Sequence, residues 1–142
     1  KKLKLGTICV DEKACEKRER INFTLAHECW HSQFDLNLDI SVMPVYSGHK
    51  FFFSDQKLRI VNIRSPEKWM DYHADKYAVY LLMPKQFVEE MYKDVKRFYR
   101  KIPDRIKKIA KDLGVSYTAI RYRLMELNLI TEEEFLNSSI YL

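Results

Sequence analysis

The chain has 142 residues, of which 46% are hydrophobic, 13% aromatic and 32% charged. That length fits one compact domain, or a core with a small appendage, and the apolar content excludes a disordered chain. No run of eighteen apolar residues and no signal-peptide pattern occurs, so neither a membrane span nor secretion is expected.

Only three glycines and four prolines are available for tight turns, which points to mostly helix. Cys9, Cys15 and Cys29 are odd in number and fit no CxxC framework, so they read as reduced thiols of a cytoplasmic protein. The start at Lys1 is abrupt, and a segment upstream of it is expected.

Lys1 to Val10 alternates imperfectly around Gly6 and reads as a strand. The mixed charge run from Asp11 to Arg20 reads as a solvated loop or helix start. Asn22 is the expected N-cap of a helix running to about Asp35. This helix carries Thr24-Leu25-Ala26-His27-Glu28-Cys29-Trp30-His31, a His-Glu-x-x-His pattern. Residues four apart share one helix face, so His27 and His31 can both point at one ion. Glu28 lies about 100° further round, within reach of a water beside that ion but poorly placed as a ligand. Zinc suits a pair of neutral imidazoles and lowers the pKa of its water toward about 7. Glu28 is the base expected to take the proton as that water attacks a carbonyl. Phe23, Ala26, Trp30 and Phe34 follow helical spacing beside the histidines, so this face is expected to be buried. Cys29 falls on another side of the helix, where packing is its expected role.

From Leu36 to Ser65 the pattern changes to short strands, with a hairpin expected around Asp55-Gln56. Phe51, Phe52 and Phe53 cannot all face one side of a strand; core packing is the favoured role, and lining a substrate channel the alternative. An exposed strand edge here is a place where an extended peptide can add to the sheet. His49, beside Gly48, reads as a solvent-exposed loop residue. Ser65-Pro66-Glu67 supplies an N-cap hydroxyl, a proline at the first helical position and an acidic first turn. The helix it opens is expected to run through Leu82, with Asp71, Asp75, Ala78 and Leu82 along one stripe. Two carboxylates at i, i+4 repel mildly, which is easiest to understand if a cation sits between them.

The stretch TLAHECWH, followed by Asp71-Tyr72-His73-Ala74-Asp75-Lys76-Tyr77-Ala78-Val79-Tyr80-Leu81-Leu82-Met83-Pro84, resembles the ImmA/IrrE-type metallopeptidases. Their pattern is a HExxH helix, then a helix of the form Glu-x-x-Ala-(Asn/Asp)-x-(Phe/Tyr)-Ala-x-x-Leu-Leu-Met-Pro. The resemblance extends from about Gly6 to Ile130. It implies an α+β fold, a mostly helical zincin-like core with a small β-sheet, over residues 1–92. It also implies one zinc ion, held by His27, His31 and Asp71, with Asp75 behind the ligands and accepting a histidine N–H. Asp71 is one methylene shorter than the family's usual Glu. His73 and then Asp75 are the alternative third ligands, although His73 points about 200° away from Asp71 on an ideal helix. Trp30 stands where the family commonly has Gly, and its bulk is expected to be taken up by neighbouring elements and to narrow the cleft.

Pro84 opens a helix with Phe87, Val88, Met91, Val95 and Phe98 as its apolar stripe, broken at Ile102-Pro103. Asp104–Asp112, Gly114-Val115 and Ser116–Leu127 then read as helix, tight turn and helix, with small and apolar residues where a helix-turn-helix needs them. Between Lys93 and Arg123 lie 11 basic and 3 acidic residues, a surplus of 8 in a chain of net charge +5. Residues 93–142 are therefore read as a basic, helix-turn-helix-like helical segment. The resemblance favours a docking or packing role for it over DNA binding, and Arg123 stands where DNA-binding versions usually keep an apolar residue. Thr131 with Glu134 forms a capping box for an acid-rich final helix.

The leading expectation is an intracellular zinc endopeptidase. The resemblance implies that it cuts a regulatory protein, a helix-turn-helix repressor or antitoxin, often encoded on a phage or mobile element. A DNA-binding regulator with a structural or degenerate metal site is the alternative. No oxyanion-stabilising residue can be assigned from spacing alone.

Overall fold

A computed structural model of the chain describes residues 7–9, 17–34, 46–52, 58–63 and 65–139. The order of elements is α1 (Arg18–Phe34), β1 (Tyr46–Phe52), β2 (Leu58–Ile63), α2 (Pro66–Leu82), α3 (Lys85–Phe98), α4 (Ile102–Leu113), α5 (Tyr117–Glu126) and α6 (Glu132–Ser139). The chain divides into two compact units, Lys1–Ala78 and Val79–Leu142.

In the first unit, α1 starts four residues before the expected cap at Asn22. Lys17 O accepts from Arg20 N and Ile21 N at 3.0 and 3.1 Å, so the charge run is already winding into helix. Glu, Lys and Arg are good helix formers, and Glu19 in the first turn suits the positive end of the helix dipole. α2 begins as Ser65-Pro66 predicts, with Ser65 Oγ accepting from Lys68 N at 3.3 Å.

The expected α+β class is corrected here. The structure is a mostly helical protein, and among the described residues the expected sheet of a zincin-like core is reduced to one two-stranded ribbon. β1 and β2 pair only with each other, antiparallel, from Tyr46↔Ile63 to Phe52↔Leu58, with an irregularity between Tyr46 and His49. A lone two-stranded ribbon is not a sheet layer and is marginal without further packing. Thr7, Ile8 and Cys9 carry no strand, and the rest of the expected first strand lies outside the described residues, as does the expected turn at Asp55-Gln56. His49, expected in a loop, lies in β1 opposite Val61.

In the second unit α4 is the hub, contacting α3, α5 and α6. Its Ile106 and Ile109 are fully buried, as are Val88 of α3 and Ile120 and Leu124 of α5. Each such aliphatic chain contributes about 1.5–3 kcal/mol of burial free energy. Pro103 falls in the first turn of α4, so the break at Ile102-Pro103 is a helix start. The helix ends at Gly114, left-handed at φ 63°, where Val115 N bonds Ala110 O at 3.0 Å. That is the bond a helix-terminating glycine makes possible, because no Cβ opposes positive φ. Ser116 Oγ then accepts from Ala119 N at 3.1 Å to cap α5, and α6 opens on the reciprocal Thr131–Glu134 bonds of 2.8 and 3.1 Å. The expected stripe on α3 holds only in part. Val88 and Val95 are buried together with Tyr92, whereas Phe98 is 81% exposed and Phe87 is exposed as well.

Candidate metal centre

The histidines of α1 meet the aspartates of α2. His27 and His31 are one turn apart, and their Nε2 atoms approach to 2.9 Å. Asp71 Oδ1 lies 3.8 Å from His31 Nε2. One ligand atom from each of His27, His31 and Asp71 fits within 4.8 Å of the others, and among the described residues these three form the group able to hold a metal ion. The two histidines are half-buried, while the Asp71 side chain is 63% exposed and marks the open side.

Asp75, one turn after Asp71, is buried to 1% exposure, and its Oδ1 lies 2.8 Å from His27 Nδ1. A carboxylate there requires His27 to donate from Nδ1, which leaves the Nε2 lone pair facing the cluster. Burial pushes against a charged His27, but the hydrogen bond and charge of Asp75, with smaller contributions from Glu28 and Asp71, hold its pKa above the ordinary 6.5. The site therefore draws positive charge to a point where two imidazole nitrogens and a carboxylate converge. That donor set fits a divalent ion of borderline softness, and three protein ligands leave a position for solvent. Glu28 is half-buried on α1, about 100° round from His27.

Ala74, with no exposure, falls between the Asp71–Asp75 flank and the flank carrying Trp69, His73 and Tyr77. Ala26 of α1 is likewise buried, to 4% exposure. On the far flank Trp30 and Phe34 of α1 meet Trp69, His73 and Tyr77 of α2. His73, the alternative ligand, packs with its ring 3.9 Å from Trp69, and burial pushes its pKa below the ordinary 6.5. Cys29 is half-buried and lies outside the ligand group.

The sequence reading missed what Arg123 does. Its side chain is 5% exposed, Nε donates to Met83 O at 3.0 Å just past the end of α2, and a second nitrogen bonds Glu126 at 2.8 Å. The guanidinium also lies over the Tyr80 ring, 4.9 Å from its centroid. Arg123 thus satisfies a carbonyl that the end of a helix leaves unpaired. The only signal available in advance was a charged residue at an expected apolar position.

Two histidines on one helix, a carboxylate from a second, and an acidic neighbour to the first histidine make this cluster a candidate metal site. Residues 6–125 match the family model of the peptidase M78, IrrE N-terminal-like domain, and the chain belongs to that metallopeptidase family. No curated protein and no solved structure matches it. No helix among the described residues is long and apolar enough to cross a membrane.

Proposed function

We propose that the chain is a zinc endopeptidase of the cytoplasm whose substrate is a regulatory protein, a helix-turn-helix repressor or antitoxin. The observation that carries the catalytic part is the convergence of His27, His31 and Asp71 with Asp75 bonded behind His27. His27, His31 and Asp71 would hold the zinc ion, which when bound would supply Lewis acidity toward a scissile carbonyl and a water. Asp75 holds the His27 ring through Nδ1, which would leave Nε2 to the metal. Glu28 takes a proton from the attacking water and returns it to the departing amine. The open flank at Asp71 is the side from which an extended peptide enters. Residues 93–142 serve to pack or to dock the substrate, and the burial of Arg123 against Met83 supports that role over DNA contact.

The test is Glu28→Gln, assayed by cleavage of a co-expressed repressor and by metal content. Cleavage is expected to fall by about 10²–10⁴-fold with zinc retained. Undiminished cleavage refutes the role of Glu28.

A further inference from the structure

Trp30 is one of two residues of the His-Glu-x-x-His turn, with Cys29, that the proposed chemistry does not use, and its ring meets those of His31, Phe34, Trp69 and His73. It is 7% exposed, although it stands next to a half-buried histidine. Its indole meets the His31 ring edge-on, with centroids 5.4 Å apart and planes at 82°. It stacks on His73 at 6.2 Å and 21°, and tilts against Trp69 at 6.3 Å. His73 and Trp69 are themselves in ring contact, so one indole from α1 is held against a two-ring step on α2. Edge-to-face and offset contacts of this kind are directional, and they fix orientation as well as separation.

Geometry gives that contact a consequence for the ligands. Trp69 and His73 lie about 160–200° round α2 from Asp71. Gripping one flank of a helix fixes its rotation about its own axis, and so fixes where the other flank points. A side-chain tip stands roughly 6 Å from the axis. A rotation of about 10° therefore carries the Asp71 carboxylate about 1 Å, several times the roughly 0.2 Å tolerance of a metal–ligand bond. A glutamate has a further rotatable bond with which to follow such a movement; Asp71 does not.

We propose that Trp30 is a positioning residue for the metal: its stack on Trp69 and His73 sets the rotation of α2 that lets the short Asp71 complete a site with His27 and His31. The inference rests on the metallopeptidase reading and concerns how its site is held. The same indole also meets the second imidazole ring, His31, edge-on.

The experiment uses the whole chain and two probes, Zn²⁺ affinity by chelator competition and the visible spectrum of the Co²⁺-loaded protein, which reports coordination geometry. Trp30→Leu removes the stack and Trp30→Phe restores an aromatic ring. Folding of each variant is checked by circular dichroism at the assay temperature. The expected result is a Kd for Zn²⁺ raised about tenfold or more in W30L with an altered Co²⁺ spectrum, and a Kd within about threefold of wild type in W30F with its spectrum kept. A folded W30L with wild-type affinity and spectrum overturns the proposal. If W30L does not fold, Trp69→Leu removes the same stack from the α2 side. A changed spectrum and weaker binding there support the proposal, and unchanged values overturn it. Wild-type protein that binds neither ion overturns the metallopeptidase reading itself and this inference with it, an outcome distinct from a variant that binds as wild type does.

Discussion

Asp75→Asn tests the site at a buried carboxylate bonded to one of its histidines. The side chain is 1% exposed and does not belong to the ligand group, so its link to the ion is the 2.8 Å bond to His27 Nδ1. Asparagine keeps the volume and an accepting oxygen but removes the charge, so no cavity is opened and only the electrostatic part of the bond is lost. A buried hydrogen bond to a charged group contributes about 1.5–3 kcal/mol, against about 0.5–1.5 kcal/mol for a neutral one. The difference, roughly 1–1.5 kcal/mol, corresponds to about a tenfold loss of metal affinity. That falls at the lower end of the 10–100-fold range typical of carboxylates behind metal-binding histidines. His27 is mostly buried, so solvent screening takes little from this figure. Affinity is read by competition with a chromophoric zinc chelator at fixed pH, with zinc content per chain measured in parallel. A folded Asp75→Asn protein whose zinc affinity equals that of wild type would falsify the assignment of Asp75 as the group orienting His27.

Other substitutions separate the remaining roles. Asp71→Ala is expected to lower zinc content well below one ion per chain with little effect on folding, because its side chain is largely in solvent; retained stoichiometric zinc moves the third ligand elsewhere. Arg123→Met keeps an apolar stem but strips Met83 O of its partner and loses the contact with Tyr80. Urea unfolding should show a loss of about 2–4 kcal/mol, and a change under 0.5 kcal/mol contradicts the clamp. The DNA-binding alternative predicts an affinity for duplex DNA that falls steeply with salt and depends on sequence. We expect weak, sequence-indifferent binding from the exposed lysines and arginines of α3 and α4, and selectivity at physiological salt would revive that reading.

How far the site could be read in advance depends on the range of the interaction. The spacing of His27 and His31 follows from helical periodicity alone; of the helix face expected to be buried beside them, Ala26 and Trp30 are buried, Phe23 is half-buried and Phe34 is exposed. The start of that helix was misplaced because a mixed charge run reads equally well as loop or helix. The sheet was overestimated for a related reason: alternation over residues 46–63 identifies strands but says nothing about whether a third strand joins them. Phe87 and Phe98 were assigned to the buried stripe of α3 by periodicity, yet α4 covers only the arc that carries Val88, Tyr92 and Val95.

The local rules written into the chain settle the rest of its elements. Ser65-Pro66, Gly114, Ser116 and Thr131 with Glu134 act within one helical turn, so residue identity alone determines where the helices start and stop. Tertiary structure alone decides that Asp75 lies against His27, 48 residues away, while Asp71 stays in solvent beside His31. It decides equally that the rings of Trp30, Trp69 and His73 meet, and that Arg123 closes on Met83. On the wheel of α2 the two aspartates are nearly equivalent. They become different only in the folded unit, where Asp75 is buried against the His27 ring and Asp71 is left largely in solvent beside His31.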